Sequence, residues 1–125
     1  MNIHIKTIPH KQQRYETVGD WFYDEHGNLQ IRVSEMPDAR FEQLVAVHEL
    51  LEALECDEHC VEQEAVDSFD TQYERDRQAG DTSEPGDSRM APYYEEHQFA
   101  TGVERLFAQR LGVNWQDYEK AVKAL

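Results

Sequence analysis

From Phe41 to Leu54 the apolar residues recur at helical spacing, and two ionisable residues fall inside the apolar arc instead of opposite it. Phe41, Leu44, Val45, Val47, Leu50, Leu51 and Leu54 make the arc, and Asp38 stands where an N-cap belongs. At about 100° per residue, His48 and Glu52 lie one turn apart on a single face, between Leu44 and Val45. Glu49 falls on the margin of the arc. An isolated charge aimed at a core is costly, so this pair needs a partner. Whatever packs on the helix has to supply it.

The rest of the chain suggests what surrounds that helix. Ile3, Ile5 and Ile8 alternate with His4 and Lys6 up to Pro9. Tyr15 to Tyr23 is aromatic and β-branched, Asp24-Glu25-His26-Gly27-Asn28 has turn chemistry, and Leu29, Ile31 and Val33 alternate again. These runs predict a small antiparallel sheet of about three strands, with residues 15–33 as a hairpin. A second helix is expected over roughly 61–78, with a thin stripe of Val61, Ala65, Val66, Phe69 and Tyr73. Residues 79–91 read as a mobile loop by composition. Pro92 suits the first turn of a third helix running to Leu111, with Phe99, Val103, Leu106 and Phe107 inward. Gly112 stops it, and Asn114 caps a last helix carrying Trp115, Tyr118 and Val122. With 125 residues and no internal repeat, residues 1–125 are expected to form one α+β domain, a sheet packed on three to four helices.

Charge narrows the function classes. The formal charge of −14 arises almost wholly between residues 41 and 100, where only Arg75, Arg77 and Arg89 are basic. Such a surface repels phosphate backbones and anionic lipid, so neither nucleic acid nor a membrane is an expected partner. No apolar run approaches the roughly 20 residues of a membrane span. The first residues alternate like a strand and lack the apolar core of a signal peptide. Cys56 and Cys60, one turn apart in a helix, are poor disulfide partners, and a reducing cytoplasm is expected. The carboxylates make either a solvated acidic face or the surroundings of a bound cation.

His48-Glu49-Leu50-Leu51-Glu52 carries the chemistry. A His and a carboxylate at i and i+4 are two arms of a metal clamp, and a Glu just off that face can reach a water on the metal. This segment, following the strand Leu29–Val33, resembles the core of zincin metallopeptidases, whose helix carries His-Glu-x-x-His. The resemblance covers roughly residues 29–55. It implies His48 as first ligand, Glu49 as general base and Glu52 in place of the second His. It also implies that an extended peptide lies along the edge strand before the helix. Two His and one carboxylate is a recognised zinc set, so the missing His must come from elsewhere. His97 is the candidate, on the flank of the third helix, with Glu104 stacked beside it as acceptor for its other ring nitrogen. The chain is also similar to small phage and bacterial proteins sharing this helix and the elements Glu95-x-His97-x-Phe99-Ala100, Glu104-Arg105-Leu106 and Leu111-Gly112-Val113-x-Trp115.

Other readings compete. MazG-type nucleoside triphosphate pyrophosphohydrolases hold Mg²⁺ with Glu-x-x-Glu and Glu-x-x-Asp, and this chain has Glu49/Glu52 and Glu64/Asp67. Cys56, His59 and Cys60 can share a helical face as a soft-metal clip. An acidic, non-enzymatic module that binds a basic host or virion protein is the third class. His4, His10 and His26 are expected to be solvated, Trp21 and Trp115 to pack, and Asp67 and Asp70 to lie on a solvated helix face. The favoured expectation is a zincin-like metalloprotein binding Zn²⁺, with Mg²⁺ as alternative, and a peptide or other amide as substrate.

Overall fold

The alternating run that begins at Leu29 becomes the middle of the sheet. In the computed structural model, which describes residues 1–125, strands span Ile3–Ile8 (β1), Gly19–Tyr23 (β2) and Leu29–Ser34 (β3). Helices span Ala39–Glu58 (α1), Gln63–Asp76 (α2), Tyr94–Leu111 (α3) and Trp115–Lys123 (α4), with 3-10 turns at His10–Gln12 and Pro85–Asp87. The fold is α+β, and the strand order is β1-β3-β2.

β2 and β3 form the expected hairpin, antiparallel with Trp21 opposite Ile31. The sheet as a whole is mixed, not antiparallel throughout, because β1 runs parallel to β3 with Ile5 beside Ile31. Period-two alternation marks a strand without giving its direction. Direction is set by residues 9–18, which cross the end of β3. There Gln13 donates to the carbonyls of Val18 and Arg32, and His10 Nδ1 meets Ser34 Oγ at 2.8 Å. α1 packs over β2 and β3. Ile3 and Ile5 share the face of the fully buried Leu29 and Ile31, yet remain 45% and 50% exposed on the overhanging β1.

Leu29, Ile31 and Val33 from β3 pack against Leu44, Val45, Ala53 and Cys56 from α1. Two of the expected caps form, whereas Pro92 lies ahead of α3, whose N-cap is Tyr93. Asp38 accepts from the Arg40 amide at 2.9 Å, and Asn114 accepts from the Asp117 amide at 3.0 Å. Gly112 ends α3 in the left-handed region at φ 69°, where a Cβ would be strained. α3 differs from expectation in the face it buries. Phe99 and Leu106 are 51% and 64% exposed, and Val103 and Phe107 are half-buried. The inward side is instead Glu96, His97, Ala100, Glu104 and Ala108. Two small alanines allow close approach to α1, and the polar residues between them meet the ionisable pair that α1 presents.

Gly19 is the contact point between β2 and α1. A Cβ there would lie 2.7 Å from both Glu49 Cγ and Val45 Cγ1. Gly19→Ala is therefore expected to destabilise the fold by about 1–3 kcal/mol through overpacking. Urea unfolding checks this, and an unchanged midpoint would mean that the strand does not press on α1.

Candidate metal centre

α1 places His48 and Glu52 one turn apart, and α3 brings His97 against them across the helix interface. Glu52 Oε2 lies 3.1 Å from His48 Nε2 and 2.9 Å from His97 Nδ1, and the two nitrogens are 3.1 Å apart. All three residues are buried. Three lone-pair atoms this close repel unless protons or a cation lie between them. Donors on a tetrahedral zinc ion, at about 2.0–2.1 Å from it, stand about 3.3 Å from one another. The residue types and their spacing thus fit a divalent ion of the zinc class. The sequence reading placed all three together, and the fold does bring them together.

The groups behind this triad fix its orientation. His48 Nδ1 is 2.8 Å from Glu104 Oε1, and the Tyr118 hydroxyl donates to the other Glu104 oxygen. Glu104 was expected behind His97. It stands behind His48 instead, because the α3 face that carries both residues lies over the whole length of the α1 pair. With Nδ1 held by Glu104, His48 turns its Nε2 to the centre, where a bound metal would take its lone pair in place of a proton. Trp21 Nε1 donates to Glu52 Oε1 at 3.0 Å, leaving Oε2 for the imidazoles. Trp21 and Tyr118 were read as packing residues. Their burial is as expected, but each spends its single polar atom on a carboxylate of the site.

Electrostatics reflect this mutual dependence. Burial works against a charged His48, but ionic hydrogen bonds to Glu104 and Glu52 outweigh it and raise its pKa to about 10. Burial opposes the charge on His97 as well, and Asp87, Glu52 and Glu84 carry it to about 12. Glu52 is brought down to about 2, since the His48 and His97 hydrogen bonds overcome its desolvation. Glu49, by contrast, is pushed well above the usual carboxylate range by burial and by the Glu52 charge. Without a metal the cluster holds protons tightly. A metal in their place would be held by the same carboxylates.

The triad opens into a cleft of about 740 Å³ whose lining includes Gly19, Trp21, Glu49, Asp70 and Tyr93. The 79–91 segment forms part of its wall: Glu84, Pro85, Gly86 and Asp87 line it, and a Cβ on Gly86 would lie 2.4 Å from His97 Cγ. The strand beside the cleft is β2, whereas β3, the strand singled out before the helix, is paired on both edges. Asp70 is not on a solvated face. It is 8% exposed and accepts from the hydroxyls of Tyr15 and Tyr93. Its position four residues after Val66, in line with the α2 stripe, was the signal for this. The second half of the Mg²⁺ motif does not form, because Glu64 is exposed and Asp67 is bonded to Arg14. Nor do the cysteines form a clip: Cys56 is in the core, Cys60 is exposed, and His59 pairs with Glu96 at 2.9 Å. His10 is held by Ser34 and Glu16 rather than solvated, while His4 and His26 are exposed. Comparison with protein-family models, curated proteins and solved structures found no match to this chain.

Asp70 generates a pH dependence. Burial raises its pKa from 3.8 to about 7, with the Tyr93 hydrogen bond opposing and the Glu52 charge adding to the effect. The folded state therefore keeps a proton that the unfolded state has lost, and stability falls as pH rises from about 4 to 7. Asp70→Asn is expected to remove that loss. Its urea midpoint should gain on the wild type between pH 4.5 and pH 7.5. A difference that stays constant with pH would show that Asp70 is solvated.

Proposed function

We propose that this chain is a zinc-binding hydrolase of peptide or other amide bonds, built around a minimal zincin-like helix. The observation that carries the reading is the convergence of His48 Nε2, Glu52 Oε2 and His97 Nδ1 within 3.1 Å of one another. Two imidazole nitrogens and one carboxylate suit zinc, whereas magnesium favours six oxygens. His48, Glu52 and His97 would hold the ion, and zinc when bound supplies a Lewis acid that polarises a carbonyl and makes water more acidic.

The remaining steps belong to the chain's own side chains. Glu49 lines the cleft next to the ligands, where burial and the Glu52 charge raise its affinity for a proton. It would take the proton of the attacking water on its carboxylate and pass it to the leaving amine. Glu104 and Trp21 would keep His48 and Glu52 in position throughout. An extended substrate would lie along the Gly19–Trp21 edge of β2. The backbone amide of Tyr23 already donates to Gln63 Oε1 at 2.8 Å and the Gly19 carbonyl accepts from the Thr17 hydroxyl at 2.5 Å, so the Trp21 backbone between them would carry the contact. The acidic lining of the cleft favours an uncharged or cationic substrate over a phosphorylated one. Unpaired Cys56 and Cys60 support a reducing, cytoplasmic setting, and no helix is long and apolar enough to cross a membrane.

Elemental analysis of untagged protein purified without chelator tests the centre. Zinc is expected in the wild type, with one equivalent fewer in His48→Ala; a metal-free wild type that also fails to take up added zinc would overturn the reading. Glu49→Gln should keep its zinc while any amide hydrolysis falls by about 10²-fold or more. Release of the metal instead would make Glu49 a ligand and not the base. Trp21→Phe removes the hydrogen bond to Glu52 and should weaken zinc about 10–100-fold, measured by competition with a chelating dye. Unaltered affinity would return Trp21 to a packing role.

A further inference from the structure

The His97 ring has a second nitrogen, outside the proposed centre, that faces two carboxylates. His97 is 6% exposed, and its Nε2 is a buried atom with no hydrogen-bond partner. Glu84 Oε2 and Asp87 Oδ1 face it at 3.2 and 3.3 Å without the alignment of a hydrogen bond. A charge-assisted N–H···O bond is about 2.7–2.9 Å long. Donors around a tetrahedral zinc ion are about 3.3 Å apart, and both carboxylate oxygens stand at that spacing from Nε2. The three donor atoms lie within 4.8 Å of one another. The turn is also fitted to the ring, since any Cβ on Gly86 would collide with the imidazole. Glu84 and Asp87 flank that glycine in sequence.

We propose that Glu84, Asp87 and His97 Nε2 form a second divalent-cation site, joined to the first through the His97 ring. The inference rests on His97 Nδ1 being a ligand of the first centre. The imidazole then bridges as an imidazolate: its Nδ1 lone pair stays on the first ion, the Nε2–H bond breaks, that proton goes to solvent, and the freed lone pair binds the second ion. Two dications then face four negative charges, those of Glu52, Glu84, Asp87 and the bridging ring. The chemical class is set by the nitrogen donor, which favours zinc, copper or cobalt over magnesium or calcium. The side chains of Glu84 and Asp87 are 52% and 54% exposed, so this ion exchanges with solvent more readily than the buried one. Its presence would hold residues 84–87 against α3 at the wall of the cleft.

The test is titration of Zn²⁺ alone into chelator-stripped full-length chain, read by calorimetry and elemental analysis. Wild type is expected to take two equivalents. Glu84→Gln combined with Asp87→Asn should lose the second and keep the first, while His48→Ala should lose the first. One equivalent in the wild type that survives the Glu84/Asp87 change and vanishes in His48→Ala overturns the second site and leaves the first standing. No binding by any form overturns both. Cu²⁺ at two equivalents reads the bridge directly, because coppers coupled through imidazolate lose electron paramagnetic resonance intensity. Full, uncoupled intensity at two bound equivalents would overturn the shared ring.

Discussion

Burying His48, Glu52, His97 and Glu104 between α1 and α3 is possible only because each compensates another, and much of the architecture follows from that requirement. An unpaired charge in this position would cost several kcal/mol, a large share of the stability of a 125-residue domain. The two helices therefore cannot pack until both halves of the cluster are present. α3 turns its large apolar residues Phe99 and Leu106 toward solvent in order to place His97 and Glu104 inward. β2 comes close enough, through Gly19, for Trp21 to reach Glu52, and α4 is docked so that Tyr118 reaches Glu104. Apolar area contributes elsewhere in the core. At this interface, polar matching decides the packing.

That inversion explains what the sequence made legible and what it hid. The apolar arc of α1 is dense enough that His48 and Glu52 stand out as intrusions, so their inward direction followed from periodicity alone. His97 followed from the need for a third donor. α3 has no comparable arc, and placing its bulkiest residues inward was the default that the cluster overrides. Glu104 was assigned to the wrong imidazole because helical angle gives a face and not the partner opposite it. Trp21 and Tyr118 carried no signal of their own: a buried aromatic with one polar atom looks the same in sequence whether that atom meets a backbone carbonyl or a site carboxylate.

The sheet shows a similar division. Alternation identified all three strands, and the turn at Asp24–Asn28 fixed the hairpin. Neither could say that β1 would join β3 in parallel, since that depends on the route of residues 9–18, which is held by side-chain contacts of Gln13 and His10 with the end of β3. The half-exposed Ile3 and Ile5 belong to the same limit, because an apolar alternation tells which face is inner without telling how far the helices extend over it.

Proton and metal would compete for one set of lone pairs in this cluster, and the electrostatics decide how so acidic a surrounding would suit a metal. With its pKa raised to about 10, His48 keeps its proton at neutral pH, and removing it at pH 7 costs about 4 kcal/mol. Lone histidines would bind metal without that penalty. Yet Glu52 and Glu104, which impose the penalty, act on an ion of twice the charge, and Glu52 would do so from direct contact. The carboxylates would thus strengthen the hold on a dication more than they strengthen the hold on a proton. They would also make such binding steeply dependent on pH, since protons must leave as a metal enters. A histidine pair hydrogen-bonded only to neutral groups would show neither property. Of the carboxylates between residues 41 and 100, Glu52 is buried within this cluster, while Glu96 is buried apart from it against the exposed His59.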